Sequence, residues 1–388
     1  MTRFTRAARC LGLSHEEEQP RGRAWRSRRE DLRVDSIAAQ VRADIETGKL
    51  PDIKFPVRSL DNVTYGKAKG YFELGDAKKD RTLTATAKSF AQTLRLMATS
   101  RAMVEHDDFA TKREVYYISK NWGDCRFDDQ AESDATMDDI EAMASMHGLS
   151  REQLRFYPES HGGSVAGRLT VIDRNPATGA TVEIDCANLG SGAYSLPHSV
   201  EHLSFRTDAL FVLAIERHVS APEQPLLLGG GAVIVVEMGG VPTRAARRFI
   251  RVLSDAQKLP VYGFVDCDPY GFTNIYRTLK VGSGNAAHVN RFLCVPQARF
   301  LGVTPQDIVD FGLEDATHPL SPTDIKRAQD AIDNDPFIMA HPEWIAAIKQ
   351  LLAMGVRAEQ QALAKWGLNY VISEYLPKKL ADASAFLL

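Results

Sequence analysis

Between Ala209 and Pro296 the chain alternates apolar runs of strand length with stretches of helical spacing. ALFVLAIE, AVIVVEMG, LPVYGFVDCD and RFLCVP are the strand candidates, and TRAARRFIRVLSDAQ and YGFTNIYRTLK fall between them. Strands separated by helices require crossover connections, so this half is predicted to be an α/β domain with a largely parallel sheet. Two of the runs close on acids, Glu216 in the first and Asp266 and Asp268 in the third. Residues two apart on an extended chain point the same way. The aspartates therefore share one side, and Cys267 between them points into the core. Carboxylates at the C-terminal edge of a parallel sheet are placed to hold a hard divalent ion beside a ligand outside it. Acids that merely keep strand ends soluble are the plain alternative.

The first third reads differently. Helices are expected from Leu32 to about Thr47, over 82–99 with Phe90, Leu94 and Met97 inward, and across TKREVYYIS. A further helix is expected from about Ser133 to Met146, its start open because Thr136 and Asp139 have capping-box spacing. Three short helices fit a helix-turn-helix or winged-helix module. LTVIDR and TVEIDC form a β-hairpin turned at Gly179. The C-terminal stretch HPEWIAAIKQLLAMGVRAEQQALAKW is helical, a buttress or a subunit contact.

At 388 residues, two or more domains are expected. No apolar run approaches membrane-spanning length, so no membrane partner is expected. Five cysteines without a C-x-x-C pair favour free thiols and a cytoplasmic setting. Residues 1–34 carry most of a basic segment: positions 1–35 hold nine arginines, no lysine and six acids. That stretch reads as a flexible basic tail, while the net charge of −3 excludes a general nucleic-acid coat but not a local basic groove. His198 and His202 have ligand-like spacing on a helix but no evident third partner, so no zinc site is proposed. Neither a G-x-G-x-x-G nor a G-x-x-x-x-G-K-[ST] occurs, so ATP and NAD are not expected to bind here.

Tyr116 and Tyr117 follow Arg113 within one helical stretch. A phenol, with pKa about 10, is a poor nucleophile unless a cation or a base assists it. On a helix the two rings point in different directions, so one reaches a ligand while the other packs. Interfacial or core tyrosines are the ordinary reading of such a pair.

KFPVRSLDNV, YFELGD, TKREVYYISKNWG, FDDQAESDATMDDIEAM, FYPESHGG, GSGAYSLPHSVEHL, LPVYGFVDCDPYG and TLKVGSG occur in order over about residues 35–380. In these the chain resembles the A subunits of type IIB DNA topoisomerases, relatives of the meiotic double-strand-break protein. The resemblance implies an N-terminal extension and a winged-helix (CAP-like) domain over 35–155. It implies a Toprim domain with a hairpin insertion and C-terminal helices over 156–388. It makes Tyr117 the nucleophile that forms a 5′-phosphotyrosyl link, with Arg113 beside the scissile phosphate. Glu216, Asp266 and Asp268 become the Mg²⁺ ligands, and Arg247 and Lys280 candidate DNA contacts.

Arg247 lies in PTRAARRF, where Thr243 stands for the acid and Ala246 for the threonine of the family's stretch, which leaves Arg247 and Arg248 hard to separate. His161 sits where relatives carry arginine or histidine. The expected partners are duplex DNA, a second copy of this chain, and an ATPase B subunit completing an A2B2 heterotetramer on chromosomal DNA; ATP would be used by B. A recombination-type double-strand-break enzyme, a Toprim nuclease and a DNA-binding subunit without turnover are the competing readings.

Overall fold

The computed structural model describes residues 34–82, 85–157, 162–175, 178–190, 192–216, 233–382 and 386–387. The basic tail up to position 33 and His161 lie outside them. Among the described residues no helix is long and apolar enough to cross a membrane.

Two hydrophobic cores organise the chain. The first is built on helices α1 (Ala87–Glu105), α2 (Lys112–Ser119) and α3 (Gln130–Ser145). Phe90, Leu96, Met97, Val115, Phe127, Met137, Ile140 and Phe156 fill it. α3 begins at Gln130, earlier than Ser133, because the Asp129 carboxylate accepts from the Glu132 N–H at 2.8 Å and caps the helix there. The stretch Phe156–Tyr157 pairs with Ala110–Thr111 just ahead of α2.

The second core surrounds a six-stranded sheet. Its strands are β1 (Ser164–Gly167), β2 (Tyr194–Ser195), β3 (Phe211–Ile215), β4 (Val233–Glu237), β5 (Val261–Phe264) and β6 (Arg299–Gly302). In space they run β2-β1-β4-β3-β5-β6. β4, β3, β5 and β6 are parallel, and β1 and β2 add an antiparallel edge. The expected RFLCVP strand is not one. Arg291–Leu293 end a helix that starts at Ala287, and the fourth parallel strand is Arg299–Gly302, eight residues later. The trio Arg-Phe-Leu occurs in both places, so local composition could not separate them.

Helix α4 (Arg244–Gln257) makes the crossover from β4 to β5 and buries Ala246, Phe249, Ile250 and Leu253 on the sheet. Thr243 caps it, its hydroxyl accepting from the Ala246 N–H at 3.2 Å. The expected hairpin forms from Thr170–Arg174 and Thr181–Asp185, with Gly179 at φ +71° where a side chain would be strained. His198 and His202 lie in turns rather than on a helix, and His202 Nε2 sits 3.2 Å from Asp173 Oδ1. The C-terminal helices are part of the core: Trp344 is fully buried against Phe272, Tyr276, Phe300 and Phe337.

A buried ionic cluster joins the two cores. Arg244, first residue of α4, reaches Glu141 of α3 at 2.5 Å and Glu152 at 2.9 Å. Arg151 and His288 approach Glu141 at 3.8 and 3.4 Å. Burial alone would raise the Glu141 pKa, but Arg244, Arg151 and His288 hold it well below the usual carboxylate range. Asn290 adds a neutral clasp, donating to the Phe72 and Ser283 carbonyls at 3.0 Å each.

Candidate active site

The strand order decides where a ligand fits. The connection leaving β3 runs to β4 on one side, whereas the connection leaving β5 runs to β6 on the other. Adjacent strands whose connections diverge open a crevice at their C-terminal ends. Glu216 follows β3 and Asp266 follows β5 at that point, with the Glu216 N–H donating to the Phe264 carbonyl at 3.2 Å. Glu216 Oε2 in turn accepts from the Asp266 N–H at 3.3 Å.

The alternation predicted for DCD holds. Asp266 and Asp268 are half-buried toward the crevice, while Cys267 is fully buried. Burial pushes the Cys267 thiol well up, out of the range of a reactive thiolate. Asp266 Oδ1 accepts from the Gln360 N–H at 2.8 Å and Asp268 Oδ1 from the Gly271 N–H at 2.6 Å. Burial raises the Asp268 pKa against the lowering by the Gly271 N–H. Three carboxylates at one end of a parallel sheet are the donor chemistry a hard divalent ion selects. Among the described residues no three His, Cys, Asp or Glu side chains already stand as a closed ligand set. The donors fit a divalent ion, and closing a shell around one requires side-chain rotation.

The tyrosine pair lies on α2, whose start is fixed by a capping box between Thr111 and Glu114. Val115 and Ser119 face the core, which turns Arg113 and Tyr117 outward together, one helical turn apart. The two tyrosines are in different states. Tyr116 is half-buried, its hydroxyl within 3.5 Å of the Asp128 carbonyl and its ring 4.0 Å from Lys120 Nζ. Tyr117 is 55% exposed, with the Arg113 guanidinium carbon 6.0 Å from its ring centre. A phenol at the surface beside an arginine can meet a phosphate, and the engaged Tyr116 cannot do so without breaking its contacts.

The candidate DNA contacts Arg247 and Lys280 are withdrawn from solvent. Arg247 is 7% exposed, and burial lowers its pKa to about 10. Lys280 is 6% exposed and donates to the Pro296 and Ala298 carbonyls, both at 2.7 Å; burial lowers its pKa to about 8. Neither offers a charge to a phosphate in this conformation. Arg248 is separated from Arg247 by its partner, pairing with Glu201 at 2.6 Å. No sequence motif marks Gln360, whose side-chain amide donates to the Phe264 carbonyl at 2.5 Å while its N–H holds Asp266. It lies 94 residues from Asp266, outside any pattern of the carboxylate strand.

Comparison with known proteins covers the same regions. Residues 88–155 match the family described as type IIB DNA topoisomerase, and residues 159–209 the all-beta domain of the DNA topoisomerase VI alpha subunit. Residues 223–380 match the Toprim domain shared by the A chains of topoisomerase 6 and Spo11. The chain is 48% identical over 358 residues to the A subunit of the type 2 DNA topoisomerase 6 of Methanocaldococcus jannaschii, covering 92% of this chain and 95% of that protein. The Methanothermobacter thermautotrophicus counterpart is 34% identical, with 90% and 96% covered. That of Pyrococcus abyssi is 33% identical, with 90% and 93% covered.

Proposed function

The chain belongs to the family of DNA topoisomerase VI A subunits, and on that premise we propose that Tyr117 is its DNA-cleaving nucleophile and Glu216, Asp266 and Asp268 its Mg²⁺ ligands. As a family member it is the part of a DNA topoisomerase that cleaves and reseals duplex DNA.

The Tyr117 hydroxyl oxygen attacks a backbone phosphorus. A tyrosine–phosphorus bond forms, the bond to the 3′-oxygen breaks, and the DNA end is held as a 5′-phosphotyrosyl ester. The Arg113 guanidinium binds the phosphate under attack and favours the phenolate. Divalent metal bound by the three carboxylates supplies Lewis-acid stabilisation of charge on the phosphate and the departing 3′-oxygen. The ester conserves the bond energy, so the 3′-hydroxyl reverses the step without ATP. Phosphate contacts dominate such binding, giving weak sequence preference and strong salt dependence.

The observation that carries this assignment is the asymmetry of the tyrosine pair, Tyr116 engaged with the Asp128 carbonyl and Tyr117 exposed beside Arg113. We further propose that two copies of this chain pair, each presenting Tyr117 to the other's carboxylates, and that a B subunit completes A2B2 and supplies the ATPase. A supercoil-relaxation assay tests the division of labour. Purified chain alone gives no catalytic turnover with or without ATP, and adding a matching B subunit gives ATP-dependent relaxation and decatenation. ATP-driven turnover by the chain alone would overturn it.

A further inference from the structure

A strap from near the C-terminus crosses the carboxylate turn. Cys267 and Ala358 exchange both backbone hydrogen bonds, at 2.8 and 3.1 Å, so Arg357 comes to lie beside Asp268. Arg357 Nη1 is 4.0 Å from Asp268 Oδ2, an ion pair too long to be a hydrogen bond. The side chain is 38% exposed, and its Nε is buried without a hydrogen-bond partner. Asp268 Oδ1 is already taken by the Gly271 N–H. The cleavage chemistry described above does not use Arg357.

An arginine held loosely against a metal-site carboxylate competes with any cation for that oxygen. Its planar fork of donors suits a phosphate in bidentate geometry, and part of it faces solvent. We propose that Arg357 exchanges one anion for another: it neutralises Asp268 while the site lacks a divalent ion, and binds a phosphate oxygen of the duplex once the ion is in place. This rests on the assignment of Asp268 to the metal site.

Mn²⁺ titration of the full chain without DNA, followed calorimetrically, gives the first readout. Arg357→Ala binds Mn²⁺ about fivefold more tightly, the factor an exposed ion pair carries. Arg357→Lys, which keeps the charge, stays within about twofold of the parent. The second readout is the salt dependence of duplex binding in a Tyr117→Phe background. Arg357→Ala lowers the slope of log K against log salt by about one with Mg²⁺ present, and leaves it unchanged in EDTA. Mn²⁺ affinity unchanged or weakened by Arg357→Ala overturns the proposal, as does a slope that responds equally with and without Mg²⁺. Asp268→Asn separates the two layers. If it leaves Mn²⁺ binding intact, the metal assignment falls; if it weakens Mn²⁺ binding while Arg357→Ala has no effect, only the exchange falls.

Discussion

Replacing Arg244 by alanine tests how the tyrosine-bearing unit is fixed to the Toprim core. The guanidinium bridges Glu141, whose side chain is 2% exposed, and Glu152, at 9%. Its removal leaves two buried carboxylates facing each other. Breaking a buried pair from one side costs about 3–5 kcal/mol. Arg151, 3.8 Å from Glu141, retains part of the compensation, which places the loss near the lower end, about 3 kcal/mol. For a unit of this size that is a fall of about 6–12 °C in the thermal midpoint.

The sign of the pH dependence is fixed by the same geometry. In the parent, Glu141 is held well below its usual pKa. Its stabilisation is therefore complete above the unfolded value of about 4.3 and is lost as pH falls through the folded value. In the variant the counter-charge is gone, and burial raises both carboxylates above their unfolded values. Their penalty is full at neutral pH and fades as pH drops toward about 4. Scanning calorimetry of both proteins at neutral pH and near pH 4.5 reads the difference. The gap should narrow in acid, and adding Glu141→Gln to the variant should recover part of the loss at neutral pH. A loss below about 1 kcal/mol, or a gap independent of pH, would refute the reasoning.

Other outcomes follow from the same contacts. Tyr116→Phe keeps most covalent DNA capture, since its hydroxyl is engaged with the Asp128 carbonyl; adduct yield on end-labelled duplex checks this. Asp266→Asn combined with Asp268→Asn removes Mg²⁺-dependent cleavage, because amides cannot replace two anionic ligands of a hard ion; a Mg²⁺ titration of cleavage rate decides it. Lys280→Met strands the Pro296 and Ala298 carbonyls and costs about 1–3 kcal/mol in denaturant unfolding, while the salt slope of DNA binding stays unchanged.

Local patterns were legible where one stretch of chain carries the whole signal. The alternation in DCD gave the outward aspartates and the inward Cys267, and the capped helix gave the shared face of Arg113 and Tyr117. Long-range relations were not legible. Nothing in RFLCVP marks it as a helix end while RFLG is the strand, because the choice depends on which run pairs with β5. Lys280 and Arg247 look like phosphate contacts in sequence because a cation's burial is invisible there. The strap bearing Arg357 and Gln360 meets the carboxylate turn only through tertiary pairing, and the antiparallel edge made by β1 and β2 is equally nonlocal.

The claim that Tyr117 supplies the attacking oxygen is tested most directly by trapping the covalent complex. The chain, a matching B subunit, Mg²⁺, ATP and duplex labelled at one end are mixed, and the reaction is stopped with denaturant. The parent should retain DNA through its 5′ end after denaturation. Tyr117→Phe should retain none while still binding duplex with near-parental affinity, since only the attacking oxygen is removed. Undiminished adduct in Tyr117→Phe would contradict the account.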